Sequence, residues 1–288
     1  MTAISPRPAN RSPVVVPPLP RSLGRDSTLR RRGRERLLRV LFNASGERRL
    51  PRERELVAAL QACDPRDPWW VCEANSRTPL YLLPTREWIA ALARFVDRVG
   101  ARRLLEVAAG DGFLSERLRR VRPGIEVIAT DDGSWRRPRA RMSARDRREF
   151  AGVPFAGVRA GCGVRPIKAR AAVERYRPDL VLVAWAPPGL LVERCLRGPC
   201  RWLLDLSVDG DVCGNGPATW RFRKELPEGA LERRALCRLD ACPRETRRTR
   251  ATLYYGARHP DHGIDRHALI PSGAATRAGS GAKAWPRH

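Results

Sequence analysis

From residue 85 onward the chain alternates between short apolar runs and helical patterns. Residues 104–107, 125–130, 179–185 and 201–207 are β-prone runs. The run Asp179-Leu180-Val181-Leu182-Val183-Ala184-Trp185 is apolar almost throughout, the pattern of a strand covered on both faces of a parallel sheet. Residues 164–168 predict a shorter strand, and 231–239 with 250–256 a closing antiparallel pair. Between the runs the apolar period lengthens to that of a helix. Trp88, Leu92, Phe95, Val96 and Val99 fall on one stripe of a helix that Thr85 caps and Gly100 ends. A second amphipathic helix follows Gly112, and a third covers residues 169–176, closed by Pro178. Strands alternating with helices predict an α/β fold with a doubly wound, mostly parallel sheet.

Upstream of residue 85 the pattern differs. Residues 1–28 are rich in Pro, Ser and Arg without periodicity and are expected to be disordered. Residues 29–84 read as an Arg-rich helical arm and an aromatic connector. One helix runs from about residue 30 through Leu37, Leu38, Val40 and Leu41, and another covers about 52–62. The connector holds Asp67-Pro68-Trp69-Trp70-Val71 and Pro79-Leu80-Tyr81-Leu82-Leu83-Pro84. Its tryptophans suit a packing plug better than a stacking platform. Residues 85–258 form the α/β domain, and 259–288, rich in Gly, Ala, Pro and Arg, a flexible tail.

Charge changes the picture only in part. The 288 residues carry a formal net charge of +25, which favours polyanionic partners, so RNA is a candidate. The basic residues are nearly all arginine, with only Lys168, Lys224 and Lys283 as lysines, which points to a codon bias as much as to a partner. Fourteen arginines against five acids in the first 55 residues mark the arm as a basic element, read here as a solvated face. The eight cysteines show no two-residue spacing, so a zinc site from Cys195, Cys200, Cys237 and Cys242 has no support and no metal is expected. Val14-Val15-Val16 is too short for a signal-peptide core, and no segment reaches the ~18 apolar residues of a membrane span. A cytoplasmic protein with reduced thiols follows as the expectation.

The candidate chemistry lies where the first strand ends: Glu106-Val107-Ala108-Ala109-Gly110-Asp111-Gly112. Glycine there tolerates positive φ and lets a ligand press against bare backbone, and the next helix points its N-terminal amides at the same place. A dinucleotide fingerprint needs a third glycine where Ser115 stands. Nineteen residues beyond Gly112 the second strand ends in Asp131-Asp132, an acid placed to accept both hydroxyls of a ribose. Asp131 is the first choice and Asp132 the second.

With Glu106 at E-x-x-x-G-x-G spacing, the chain resembles class I, Rossmann-like S-adenosylmethionine-dependent methyltransferases across roughly residues 85–258. The resemblance implies a seven-stranded sheet with a C-terminal antiparallel hairpin, S-adenosylmethionine as cofactor, and methyl transfer to an acceptor that it does not identify. It implies that Ala108, Gly110 and Gly112 seat the aminoacyl end of the cofactor and that Glu106 and Asp111 steady the ammonium and the turn. Asp131 or Asp132 would take the ribose, Ile167 and Lys168 would border the adenine, and Trp135 would cover the adenine face or pack against a helix. Trp185, Ala186, Pro187 and Pro188 would line the methyl site. Amino-methylating members place Asp, Asn or Ser before Pro-Pro and an aromatic after it; Ala186 and Gly189 depart from this, so the acceptor class does not carry over. No general base can be named. Gly198-Pro199-Cys200 precedes the fifth strand and so does not match the Pro-Cys nucleophile of cytosine methylases. Two other readings stay open: a non-catalytic protein of this fold that binds RNA through its arm, and a nucleotide-dependent oxidoreductase. Oligomeric state cannot be read from the chain.

Overall fold

Alternating burial along the strands organises the sheet. The computed structural model describes residues 14–19, 24–75, 77–134, 136, 144–149, 157–185, 189–208, 219–227, 231 and 249–265. Strands β1 (Arg103–Val107), β2 (Glu126–Thr130), β3 (Val164–Arg165), β4 (Leu180–Ala184), β5 (Trp202–Val208), β6 (Lys224–Glu225) and β7 (Thr249–Tyr255) form one sheet in the order β3-β2-β1-β4-β5-β7-β6. The pairs β1–β2, β1–β4, β2–β3 and β4–β5 are parallel, whereas β7 runs antiparallel to both β5 and β6. This is the seven-stranded, doubly wound α/β sheet with an antiparallel closing strand that the methyltransferase resemblance implies.

Because side chains alternate along each strand, the apolar runs feed two cores. Leu104, Leu180, Leu182, Leu204 and Leu253 meet Trp88, Leu92, Phe95 and Val96 of α4 (Arg86–Arg98) and Leu114 and Leu118 of α5 (Phe113–Val121). On the other face Leu105, Val107, Val181, Val183 and Leu203 meet Ala172 and Val173 of α7 (Ala169–Tyr176) and Val192 and Leu196 of α8 (Leu191–Leu196). A short helix, α6 (Ala144–Glu149), precedes β3. The Thr85 hydroxyl caps α4 by accepting from Trp88 N at 3.1 Å. Among the described residues no helix is long and apolar enough to cross a membrane.

The arm folds around a small core of its own, with Arg31, Arg32, Arg36 and Arg39 on its exposed face. Its helices α1 (Thr28–Leu41), α2 (Glu53–Gln61) and α3 (Asp67–Glu73) enclose Leu37, Leu38, Leu41, Leu56, Val71 and Leu83, with Val14 and Val16 of the expected disordered segment packed on them. Arg34, 1% exposed, turns inward to Asp26 and to the fully buried Asp67, which also binds Arg30. The solvated-face reading is therefore corrected for these two arginines: a buried carboxylate needs cations beside it. The aromatic connector contributes α3, where Trp70 is fully buried and donates from Nε1 to Pro18 O at 3.1 Å, a packing role.

Three further expectations change. β3 stops at Arg165 because Pro166 has no N–H for the ladder. Of the expected closing strand over 231–239, Leu231 is helical and accepts from Trp88 Nε1 at 3.2 Å, and residues 232–239 lie outside the described residues. The edge strand is instead β6, two charged residues paired with Tyr254 and Leu253. Residues 259–265 also fold back. The His259 ring lies 4.2 Å from Trp202 and 4.5 Å from Tyr255, and Ile264 bridges to Phe222.

Candidate functional site

The parallel strands present β1 and β2 side by side, and the turn after β1 meets the tip of β2. Ala109 N donates to Thr130 O at 3.0 Å, and Gly110 N donates to Asp131 Oδ2 at 2.9 Å. Asp131 Oδ1 accepts from Gly133 N at 2.7 Å, and Asp131 N donates to Arg165 O at 3.0 Å. Glycine turn, acid and the end of β3 thus share one corner of the sheet. Of the two candidate acids the structure brings Asp131 to the turn. Asp132 is exposed and accepts from Ser134 N at 2.9 Å, closing its own short turn.

The turn is left-handed at three positions: Ala108 (φ 51), Gly110 (φ 57) and Gly112 (φ 74). Alanine is a costly occupant of that region, where an L side chain crowds its own carbonyl. For the two glycines, the close approach comes from the chain itself. A Cβ on Gly112 would lie 2.5 Å from Val164 Cγ2, and one on Gly110 would lie 3.2 Å from Val158 Cγ1. The positive φ expected of these glycines is present, and bare backbone at the turn also admits β3 and the segment before it.

Two of the amides at the start of α5 are held by carboxylates. Phe113 N donates to Asp111 Oδ1 at 3.2 Å. Ser115 donates to Glu106 Oε2 twice, from N at 3.0 Å and from Oγ at 2.6 Å. Two of the N-terminal amides expected to face a ligand are thus held by the carboxylates of Asp111 and Glu106. Glu106 is 3% exposed, and burial pushes its carboxyl up to about 7 against the opposing pull of the Ser115 bonds. Asp111 is gripped from the arm: Arg48 Nη1 donates to both of its oxygens at 2.9 Å, and the Arg48 guanidinium lies 4.0 Å over the Phe113 ring. Sequence reasoning missed Arg48, since nothing local marks one arginine among many.

The remaining candidates are spread more widely. Ile167 packs on the α7 side of the core, and Lys168 is exposed at the N-cap of α7, without a hydrogen bond to the turn. Trp185 stands just past β4 at φ 54, donates from N to Leu206 O at 2.9 Å and stacks on Tyr81 with ring centroids 6.3 Å apart. A bulky side chain held in that region marks a strained position, and strain of this kind gathers at functional sites. Trp135, Ala186, Pro187 and Pro188 lie outside the described residues. Cys200 Sγ donates to Cys195 O at 3.5 Å, and burial pushes both thiols up to about 12; Cys237 and Cys242 lie outside the described residues.

Neither a family model nor a curated protein sequence matches the chain. Its fold is similar to several solved structures. A putative caffeoyl-CoA O-methyltransferase from Staphylococcus aureus is 11% identical, covering 43% of this chain and 59% of that one, with a TM-score of 0.27. The 23S rRNA methyltransferase ErmE is 18% identical over 59% of this chain and 69% of its own, at 0.33. An S-adenosylmethionine-dependent O-methyltransferase from Thermotoga maritima is 14% identical over 60% and 65%, also at 0.33. The chain thus spans between about half and two thirds of the length of most such structures. These likenesses are loose, and the weight rests on the strand order and on the geometry at Gly110 and Asp131.

Proposed function

We propose that the protein is an enzyme that transfers a methyl group from S-adenosylmethionine to an acceptor not yet identified. The observation that carries this reading is the corner where Gly110 N meets the Asp131 carboxylate. Each Asp131 oxygen accepts one backbone N–H, which leaves acceptor capacity on both, and no cation among the described residues pairs with it. A half-buried carboxylate of that kind suits the two hydroxyls of a ribose. With Asp111 and Glu106 holding the Phe113 and Ser115 amides, carboxylates crowd the start of α5 where a pyrophosphate would sit, which suits the ammonium of a zwitterionic aminoacyl end better. That contrast favours a sulfonium nucleoside over a nicotinamide dinucleotide.

When bound, the cofactor supplies an electrophilic methyl group on sulfur. The chain's own residues supply position. Asp131 holds the sugar, the 108–112 turn carries the aminoacyl end, Glu106 and Asp111 keep that turn in shape, and Ile167 and Lys168 border the base. Trp185 borders the methyl side. Holding nucleophile and methyl together is most of what such a transfer asks of a protein.

Calorimetry with S-adenosylhomocysteine and with NADH tests the reading. The first is expected to bind and the second not. Asp131→Ala is expected to weaken S-adenosylhomocysteine at least about tenfold, or ~1.4 kcal/mol. Unchanged affinity in that variant, or preference for NADH, overturns the assignment. Radiolabelled cofactor incubated with fractionated cell extract then identifies the acceptor.

A further inference from the structure

Away from the Asp131 corner, the loop leaving the arm meets α4 and α5 around a groove of about 500 Å³. Leu50, Ile89 and Val121 make it apolar, Arg49, Arg86 and Arg117 make it basic, and no acid lines it. Each guanidinium is held in place by something other than a carboxylate. Arg49 Nη1 donates to Arg39 O at 2.9 Å, and Arg86 Nε donates to Leu50 O at 3.1 Å. Arg117 lies 4.8 Å over the Phe113 ring, and its Nε is buried with no hydrogen-bond partner. Glu116, the adjacent acid, is engaged by Arg120. Burial draws the Arg117 guanidinium below the usual arginine value, helped by Arg120 and Arg48 and opposed by Glu116.

Three oriented cations with no acid among the groove's lining residues make a good anion site. We propose that this groove binds a backbone phosphate of a single-stranded nucleic acid, with the adjoining sugar or base resting on Leu50 and Val121. A strand suits it better than a free anion because the groove is far larger than a phosphate needs and sets apolar side chains beside the three cations. Planar guanidinium forks match phosphate oxygens two at a time, and the net charge of +25 draws a polyanion from a distance. The basic character assigned to the arm as a whole is thereby placed on its junction with the domain, while Arg30 and Arg34 are spent internally on Asp67.

The experiment uses the full chain and a fluorescently labelled short single-stranded RNA, with anisotropy read across a potassium chloride series. R49Q/R86Q, both rim positions exposed to solvent, is compared with R170Q/R175Q on the exposed face of α7, which removes the same formal charge. The groove variant is expected to bind about tenfold more weakly and to lower the slope of log affinity on log salt by about 1. The α7 variant should leave both unchanged, and R117K should lose affinity despite keeping its charge. Equal losses in the two double variants overturn the site, and so does RNA that binds no more tightly than inorganic phosphate competes. Unaltered thermal unfolding of R49Q/R86Q separates binding from folding. Since S-adenosylhomocysteine affinity is read separately, either proposal can fail alone.

Discussion

Arg48 and Asp111 join two parts of the chain that lie 63 residues apart in sequence. One Arg48 nitrogen donates to both Asp111 oxygens at 2.9 Å, while the same guanidinium covers Phe113, the first residue of α5. The arm is therefore a structural partner of the glycine turn. With Arg48 17% and Asp111 25% exposed, solvent screens the pair only in part. Arg48→Ala is expected to destabilise the protein by about 1–2 kcal/mol through lost charge-assisted bonds and ring contact. In a double-mutant cycle with Asp111→Ala, chemical denaturation should return a coupling of about 1 kcal/mol. Strict additivity would show that the contact contributes nothing.

Glu106 makes stability depend on pH in an unusual direction. Its folded-state value of about 7 lies above the ordinary 4.5, so the folded protein holds this proton more tightly than the unfolded chain does. Stability from this group is complete below about pH 4.5 and is lost as pH rises through about 7, on the order of 3 kcal/mol in all. Glu106→Gln keeps an oxygen for both Ser115 donors and removes the titration. Urea midpoints measured from pH 5 to pH 8 should fall in the parent protein and stay nearly level in this variant. A parallel decline in both would place the titration elsewhere.

Gly112 meets two constraints at once, a φ of 74 and Val164 Cγ2 at 2.5 Å from any Cβ. Gly112→Ala should cost about 2 kcal/mol or more, since strain and overpacking add. Val164→Ala in the same chain should recover the overpacking share and leave the backbone share. If it recovers nothing, the contact with β3 is not what demands glycine.

Ala108 offers the opposite test. Its φ of 51 is paid for by an alanine, where glycine would sit without strain. Ala108→Gly is expected to raise stability by about 0.5–1 kcal/mol, the relief of the left-handed cost less the added chain entropy. Thermal unfolding reads the sign directly, and a loss of stability would mean the Ala108 methyl group packs favourably.

Much of the sheet was legible because burial on both faces leaves a strong local mark. β1, β2, β4 and β5 stand within a residue or two of their apolar runs, and α7 spans Ala169–Tyr176 as its pattern and Pro178 indicate. β6 left no such mark: Lys224 and Glu225 are charged, and an edge strand pairs through backbone that carries no side-chain code. The return of residues 259–265 onto Trp202, Tyr255 and Phe222 was equally hidden, since it rests on scattered ring contacts and single backbone bonds.

At the candidate site the division follows the range of each interaction. Spacing along the chain was enough to put Gly110, Gly112 and Asp131 at the ends of neighbouring strands, because strand length and a parallel crossover leave little freedom there. Which of two adjacent acids faces the turn, that Glu106 and Asp111 cap α5, and that an arm arginine closes on Asp111 became definite only on folding. Those outcomes depend on how far-separated side chains compete for the same few donors and acceptors, and no local pattern records that competition.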